Sequence, residues 1–263
     1  MSRIGDRFRE LKRSGRKGLI PFIIAGDPNL ETAELLLIEL AKSGADIIEL
    51  GVPFSDPVAD GEVIQRASER ALQNRTSVHD VLTCVTNVKQ HTDVPLVLFS
   101  YFNPLLQFGH EQFAIAASQA GVDGVLVTDL IPEEAESWTE TLLGRQLDPI
   151  FLVAPTTSEA RLAQIAARSS GFIYAVSRAG VTGERDELRR DAEILVRRVR
   201  SVSDLPVAVG FGISTAEHVG AVWRFADAAV VGSAIVRQIE KLGHDPDLAK
   251  RVGDFARSLV PRT

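Results

Sequence analysis

Three carboxylates, Glu49, Asp56 and Asp60, fall within the stretch Ile47–Gly61, IIELGVPFSDPVADG. Glu49 closes an apolar run, between Ile48 and Leu50. If it points into an apolar mouth it is desolvated. Desolvation raises the pKa of a carboxylic acid, which suits proton transfer near neutral pH. A structural carboxylate paired with a cation, or a side chain facing a helical layer, fits the same residues. Asp56 and Asp60 lie in Ser-Asp-Pro and Ala-Asp-Gly-Glu, ordinary turn and helix-cap sequences, and on local grounds Asp60 reads as a cap. Yet the loop from Gly51 to Gly61, stiffened by Pro53 and Pro57, exceeds the roughly 2–6 residues that usually join strand to helix. A loop of this length can turn a second carboxylate back towards Glu49. Two carboxyl groups in unlike environments can then divide acid and base roles.

A second chemistry lies near the far end of the chain. Val209-Gly210-Phe211-Gly212-Ile213-Ser214-Thr215 and Val231-Gly232-Ser233-Ala234 each place glycine just before a helical pattern. Glycine admits an anion close to backbone N–H groups, and a helix N-terminus favours negative charge, so the pair reads as a phosphate cradle. Tight turns with no ligand are the alternative, and the third glycine of a dinucleotide fingerprint is missing. The polar, glycine-hinged stretch Ser177–Asp186 reads as a lid that closes over a ligand, or as a solvated surface loop. Tyr174, ending a strand, is a hydrogen-bond donor to substrate or a packing residue. His79, His91, His110, His218 and His244 lack metal-ligand spacing, so no metal site is expected. No Gly-x-Ser-x-Gly elbow occurs, Cys84 is the sole cysteine, and no lysine stands at a strand end. Nucleophilic hydrolysis and Schiff-base chemistry have no support.

Residues so far apart need a scaffold that gathers strand ends. Buried-strand patterns fall at Gly18–Gly26, Ile47–Leu50, Val94–Phe99, Gly124–Val127, Pro149–Val153, Gly171–Tyr174, Pro206–Val209 and Ala228–Val231. Helical patterns lie between them, among them Leu30–Lys42, Ser77–Gln90, Glu111–Gln119, Glu133–Arg145, Ser158–Arg168, Asp191–Arg200 and Thr215–Trp223; Tyr101-Phe102-Asn103-Pro104 reads as a loop. Eight short apolar strands, each followed by a helix, predict a (β/α)₈ barrel over 1–263, with an extra N-terminal helix and a C-terminal helix at about Asp245–Leu259. Active sites of such barrels lie at the carboxyl ends of the strands. The net charge of −6, with both signs interspersed, offers no basic stripe for nucleic acid and no polybasic membrane anchor. One cysteine and no apolar leader predict a cytoplasmic protein.

The chain resembles the tryptophan synthase α subunit family over almost its whole length. ELGVPFSDPVADG, YFNP, VLVTDLIPEE, FLVAPTTSEARL, YAVSRAGVTG, VGFGIST and VVGSAIV carry the resemblance, in the family's order. It implies retro-aldol cleavage of indole-3-glycerol phosphate to indole and glyceraldehyde 3-phosphate, in the last step of tryptophan biosynthesis, with no cofactor in this chain. By the family's pattern Glu49 protonates indole C3 and takes the glycerol hydroxyl proton, while Asp60 stabilises or accepts the indole N–H proton. Phe22, Ile64, Phe99, Tyr101, Leu126 and Tyr174 are expected around the indole, and Gly183, Phe211, Gly212, Gly232 and Ser233 around the phosphate. Thr182 is expected to meet Asp60 when the lid closes. The resemblance also implies an α2β2 heterotetramer with a β subunit that carries pyridoxal phosphate and receives indole, through a contact including Pro53, Phe54, Asp56 and Pro57. Val58 stands where leucine is common, and Phe99-Ser100 replaces an aliphatic pair. A stand-alone lyase releasing free indole and a non-catalytic, sugar-phosphate-sensing partner of a β subunit are the alternatives.

Overall fold

The computed structural model describes residues 2–176, 185–210 and 212–261. Helix α1 (Arg3–Arg13) precedes β1 (Gly18–Ile24), α2 (Leu30–Lys42), β2 (Ile48–Gly51), α3 (Glu62–Gln73), α4 (Val78–Lys89) and β3 (Leu96–Ser100). Next come α5 (Phe102–Phe108), α6 (His110–Ala120), β4 (Gly124–Val127), α7 (Glu136–Leu143), β5 (Asp148–Ile150) and β6 (Leu152–Val153). The chain continues through α8 (Glu159–Arg168), β7 (Ile173–Val176), α9 (Arg185–Arg200), β8 (Val207–Gly210), α10 (Ala216–Trp223), β9 (Ala228–Val231), α11 (Ser233–Leu242) and α12 (Leu248–Ser258).

The sheet runs β5-β4-β3-β2-β1-β9-β8-β7-β6, with every pairing parallel. Its two end strands are separated in the chain by Phe151 alone, so they are halves of one strand and the sheet closes on itself. The predicted barrel is therefore observed. Its fifth strand differs from expectation in being interrupted at Phe151, whose carbonyl accepts from the Tyr174 N–H at 3.0 Å. The first half pairs with β4 and the second with β7.

Side chains alternate along each strand, so one set faces the helices and the other the barrel interior. The outward set, including Leu19, Ile23, Ile48, Leu50 and Leu98, packs with the helices in the larger core. The inward set, including Ile20, Ile47, Val97, Leu126 and Phe172, forms a separate core with Ile4, Phe8 and Leu11 of α1. The Phe8 and Phe172 rings lie 5.8 Å apart. The extra N-terminal helix thus plugs the amino-terminal end of the barrel.

Three local expectations are corrected. Tyr101-Phe102-Asn103-Pro104 leads into α5 instead of forming a loop, because Pro104 sits in the helix's first turn, where no intrahelical N–H bond is required. Helix α7 begins at Glu136 instead of Glu133, and α9 begins at Arg185, six residues before the expected Asp191. The predicted cap of α8 is present, with Ser158 accepting from the Arg161 N–H.

Candidate active site

Strand alternation decides where Glu49 points. Ile48 and Leu50 belong to the helix-facing core and Ile47 to the interior one, so Glu49 shares the inward face with Ile47. In register it lies between Phe22 of β1 and Val97 of β3. Its side chain is fully buried, and neither carboxylate oxygen has a hydrogen-bond partner. Burial alone pushes its pKa up to about 8. Of the alternatives open in the sequence, both the ion-paired carboxylate and the helix-facing side chain are excluded.

Asp60 sits at the end of the long loop, and it is not the helix cap. The N-cap of α3 is Gly61, with no side-chain cap bond. The Asp60 carboxylate instead accepts from the Tyr101 hydroxyl at 3.2 Å, and that hydroxyl accepts from the Ala59 N–H at 2.9 Å. Tyr101 is itself buried and its ring lies 5.1 Å from that of Phe54. Desolvation pushes the Asp60 pKa up to about 6, against the opposing hydrogen bond from Tyr101. At neutral pH the two carboxyls therefore differ: Glu49 holds its proton and Asp60 is largely ionised.

Both line one cavity of about 380 Å³ at the carboxyl ends of the strands. Phe22, Ile64, Phe99, Leu152, Tyr174, Val176 and Val230 supply its apolar wall, and Gly212, Ser214, Gly232 and Ser233 its polar end. The Phe22 and Phe99 rings meet edge to face at 5.3 Å. The Tyr174 hydroxyl is held well above its ordinary pKa by burial and by the nearby Glu49 and Asp60, so it remains a proton-bearing donor. Gly212 has φ +67, a left-handed conformation that admits glycine at little cost. An apolar slot, two unlike carboxyls and a glycine-lined end on one cavity suit an aromatic group joined to an anion.

A family model for the tryptophan synthase alpha chain matches residues 8–258. The tryptophan synthase alpha chain of Citrifermentans bemidjiense is 49% identical over 259 residues, covering 98% of this chain and 97% of the relative. That of Thiobacillus denitrificans is 52% identical over 241 residues, covering 91% and 88%. The crystal structure of the alpha chain from Legionella pneumophila superposes with a TM-score of 0.91 at 39% identity, over 99% of this chain and 96% of that one. The chain belongs to the tryptophan synthase alpha chain family. It is a lyase of the class that cleaves indole-3-glycerol phosphate in tryptophan biosynthesis. Among the described residues no helix is long and apolar enough to cross a membrane.

The residues expected from the family pattern divide into four groups. Phe22, Ile64, Phe99, Tyr174, Gly212, Gly232 and Ser233 line the cavity with Glu49 and Asp60. Tyr101 and Leu126 do not: Tyr101 holds Asp60, and Leu126 is fully buried in the interior core, in register with Phe99 and Ile150. Thr182, Gly183 and Phe211 lie outside the described residues, as does Ser177–Glu184 of the expected lid. Of the loop residues expected to meet a β subunit, Pro53 is buried within the chain, Phe54 and Pro57 are half-buried, and Asp56 is exposed beside Val58, which is 79% exposed. Of the two departures before Tyr101, Phe99 lines the cavity, while Ser100 turns away and its hydroxyl donates to the Tyr101 carbonyl at 2.8 Å.

The tryptophan synthase alpha chain site also holds residues that the sequence reading did not place there, among them Leu152, Val176, Val230 and Arg237. Arg237 lines the cavity from α11; its only signal is its spacing of four residues from Ser233. Gly210, ending β8, leaves the space that the Tyr174 hydroxyl fills, since a Cβ there would stand 2.1 Å from that oxygen and 2.6 Å from Cζ. Gly210→Ala is accordingly expected to displace the Tyr174 ring, costing about 1–3 kcal/mol of stability as an overpacked site and lowering kcat/KM. Urea unfolding and steady-state kinetics check this; an alanine variant with unchanged stability and kinetics would contradict it.

Proposed function

We propose that Glu49 and Asp60 carry the retro-aldol cleavage of indole-3-glycerol phosphate in this chain. Protonated Glu49 donates to indole C3, which leaves the ring cationic with the charge on the indole nitrogen. Ionised Asp60 stabilises that N–H. The Glu49 carboxylate then takes the hydroxyl proton from the adjoining glycerol carbon as the carbon–carbon bond breaks; its electrons return to the ring, and indole and glyceraldehyde 3-phosphate result. One acid whose pKa lies near neutrality can serve both proton steps. The observation that supports this division is the contrast between the two carboxyls on one cavity, about 8 for Glu49 and about 6 for Asp60. Phe22, Ile64, Phe99 and Tyr174 hold the indole; Gly212, Gly232 and Ser233 hold the phosphate, with Gly183 and Phe211 assigned there by the family pattern. Thr182 is assigned to the lid on the same ground.

The family implies a β subunit, and the exposed face of the loop at Phe54, Asp56, Pro57 and Val58 is the segment we assign to it, in an α2β2 assembly whose β subunit carries pyridoxal phosphate. Since the same loop ends at Asp60, docking on its outer face would bear directly on a catalytic carboxylate. Incubating the purified chain with indole-3-glycerol phosphate, with and without a β subunit, tests this. Indole and glyceraldehyde 3-phosphate are expected in both, faster with β. High turnover alone and no change on mixing would mark a stand-alone lyase. Absence of indole in either would overturn the assignment.

A further inference from the structure

Arg237 lies on α11 four residues after Ser233, hence on the same helix face. It is exposed, and it is the one cationic side chain among the described residues lining the cavity, which also carries the carboxyls of Glu49 and Asp60. The acid best spaced to neutralise it is Glu240, three residues on. That carboxylate is already occupied: Arg66 Nε and Nη2 donate to Oε1 and Oε2 at 2.7 and 2.9 Å, and Arg70 Nη1 donates to Oε1 at 3.1 Å. Those two guanidinium groups hold the Glu240 pKa down to about 2, so it stays an anion committed to them. Arg70 is fixed in turn by a two-pronged bond to buried Asp27, at 2.7 and 3.0 Å. The network on the outer side of α11 therefore absorbs the nearby acid and leaves Arg237 without a carboxylate partner among the described residues.

A phosphorylated substrate brings further negative charge to a cavity already holding an ionised aspartate, on a chain of net charge −6. Backbone N–H groups at glycine loops offer only partial charges. A guanidinium matches phosphate in charge and in the geometry of its donors. We propose that Arg237 binds the phosphate of the substrate at the cavity rim, and that it makes the site prefer phosphorylated ligands over their neutral counterparts. The inference rests on the indole-3-glycerol phosphate reading and adds a cation to its phosphate end.

The test compares wild type with Arg237→Gln and Arg237→Lys in the full chain. Arg237→Gln is expected to raise KM and the inhibition constant of inorganic phosphate together, by roughly fivefold, the scale of an exposed charge-assisted contact. The inhibition constant of indole is expected to stay put, and Arg237→Lys to recover most of the loss. A purely structural role would weaken indole and phosphate alike, and that result overturns the proposal, as does an unchanged phosphate constant. Calorimetric titration with inorganic phosphate needs no turnover. Phosphate binding lost in Arg237→Gln, in a chain that cleaves no indole-3-glycerol phosphate, would sink the catalytic reading and uphold this one; cleavage with phosphate affinity indifferent to the substitution would do the reverse.

Discussion

Glu49→Gln is expected to lower kcat for indole-3-glycerol phosphate cleavage by about 10²–10⁴-fold, the range set by a positioned acid–base group, while KM changes little. The amide has the shape of the acid, so the cavity wall formed with Phe22, Phe99 and Tyr174 stays intact. It lacks both functions the reaction asks of position 49: it neither delivers a proton to indole C3 nor accepts one from the glycerol hydroxyl. Steady-state indole release decides the point. A variant retaining more than a tenth of wild-type kcat would remove Glu49 from the chemistry.

The same side chain links stability to pH. Its pKa is raised from 4.5 to about 8 on folding. Below 4.5 both folded and unfolded chains hold the proton, and stability from this group is at its fullest. As pH rises the unfolded chain releases the proton first, so stability falls until the folded-state value near 8 is passed. Across that window the loss is on the order of 5 kcal/mol by linkage. Glu49→Gln escapes it, so in urea unfolding the variant should gain on wild type steadily from about pH 5 to pH 8. A stability difference that stays flat would mean that Glu49 titrates near its ordinary value. In wild type the same proton sets the alkaline limb of kcat, which should fall through about pH 8 as the donor is lost.

The inward-facing register of Glu49 was within reach of the sequence, because alternation of Ile47, Ile48, Glu49 and Leu50 leaves two choices and the barrel pattern settles which face is interior. The strands were legible for the same reason: doubly buried runs such as Gly18–Ile24 are unbroken apolar stretches. What sequence could not supply was tertiary pairing. Ala-Asp-Gly-Glu has identical local chemistry whether its aspartate caps a helix or faces a cavity. The difference is made by Tyr101, whose hydroxyl reaches Asp60 across 41 residues. Arg237 was equally illegible: an arginine on an amphipathic helix reads as solvated, and only the occupied state of Glu240 and the place of α11 at the barrel mouth give it another role. Pro53 and Leu126 were placed by motif position alone; in the fold Pro53 is buried within the chain and Leu126 lies in the interior core, packing that motif position does not specify.

Asp60→Asn is expected to reduce kcat by about 10²-fold or more, because an anion aimed at charge that develops on the reacting ring acts in the transition state more than in the ground state. Asparagine keeps an acceptor for the Tyr101 hydroxyl but carries no charge to set against the indole cation, so the loop is expected to stay in place while the rate falls. Tyr101→Phe separates position from charge. The hydrogen bond from Tyr101 lowers the Asp60 pKa against the larger effect of burial, so removing it raises that pKa. The acid limb of the kcat profile, lying near pH 6 in wild type, should then move to higher pH, with a loss at the optimum of about tenfold or less. Asp60→Asn should abolish that limb altogether, since nothing is left at position 60 to titrate. Profiles from pH 5 to 9 for the three proteins give a direct comparison. An acid limb that persists unchanged in Asp60→Asn would assign it to another group, and one that moves down in Tyr101→Phe would show that the tyrosine does not hold the aspartate in its ionised form.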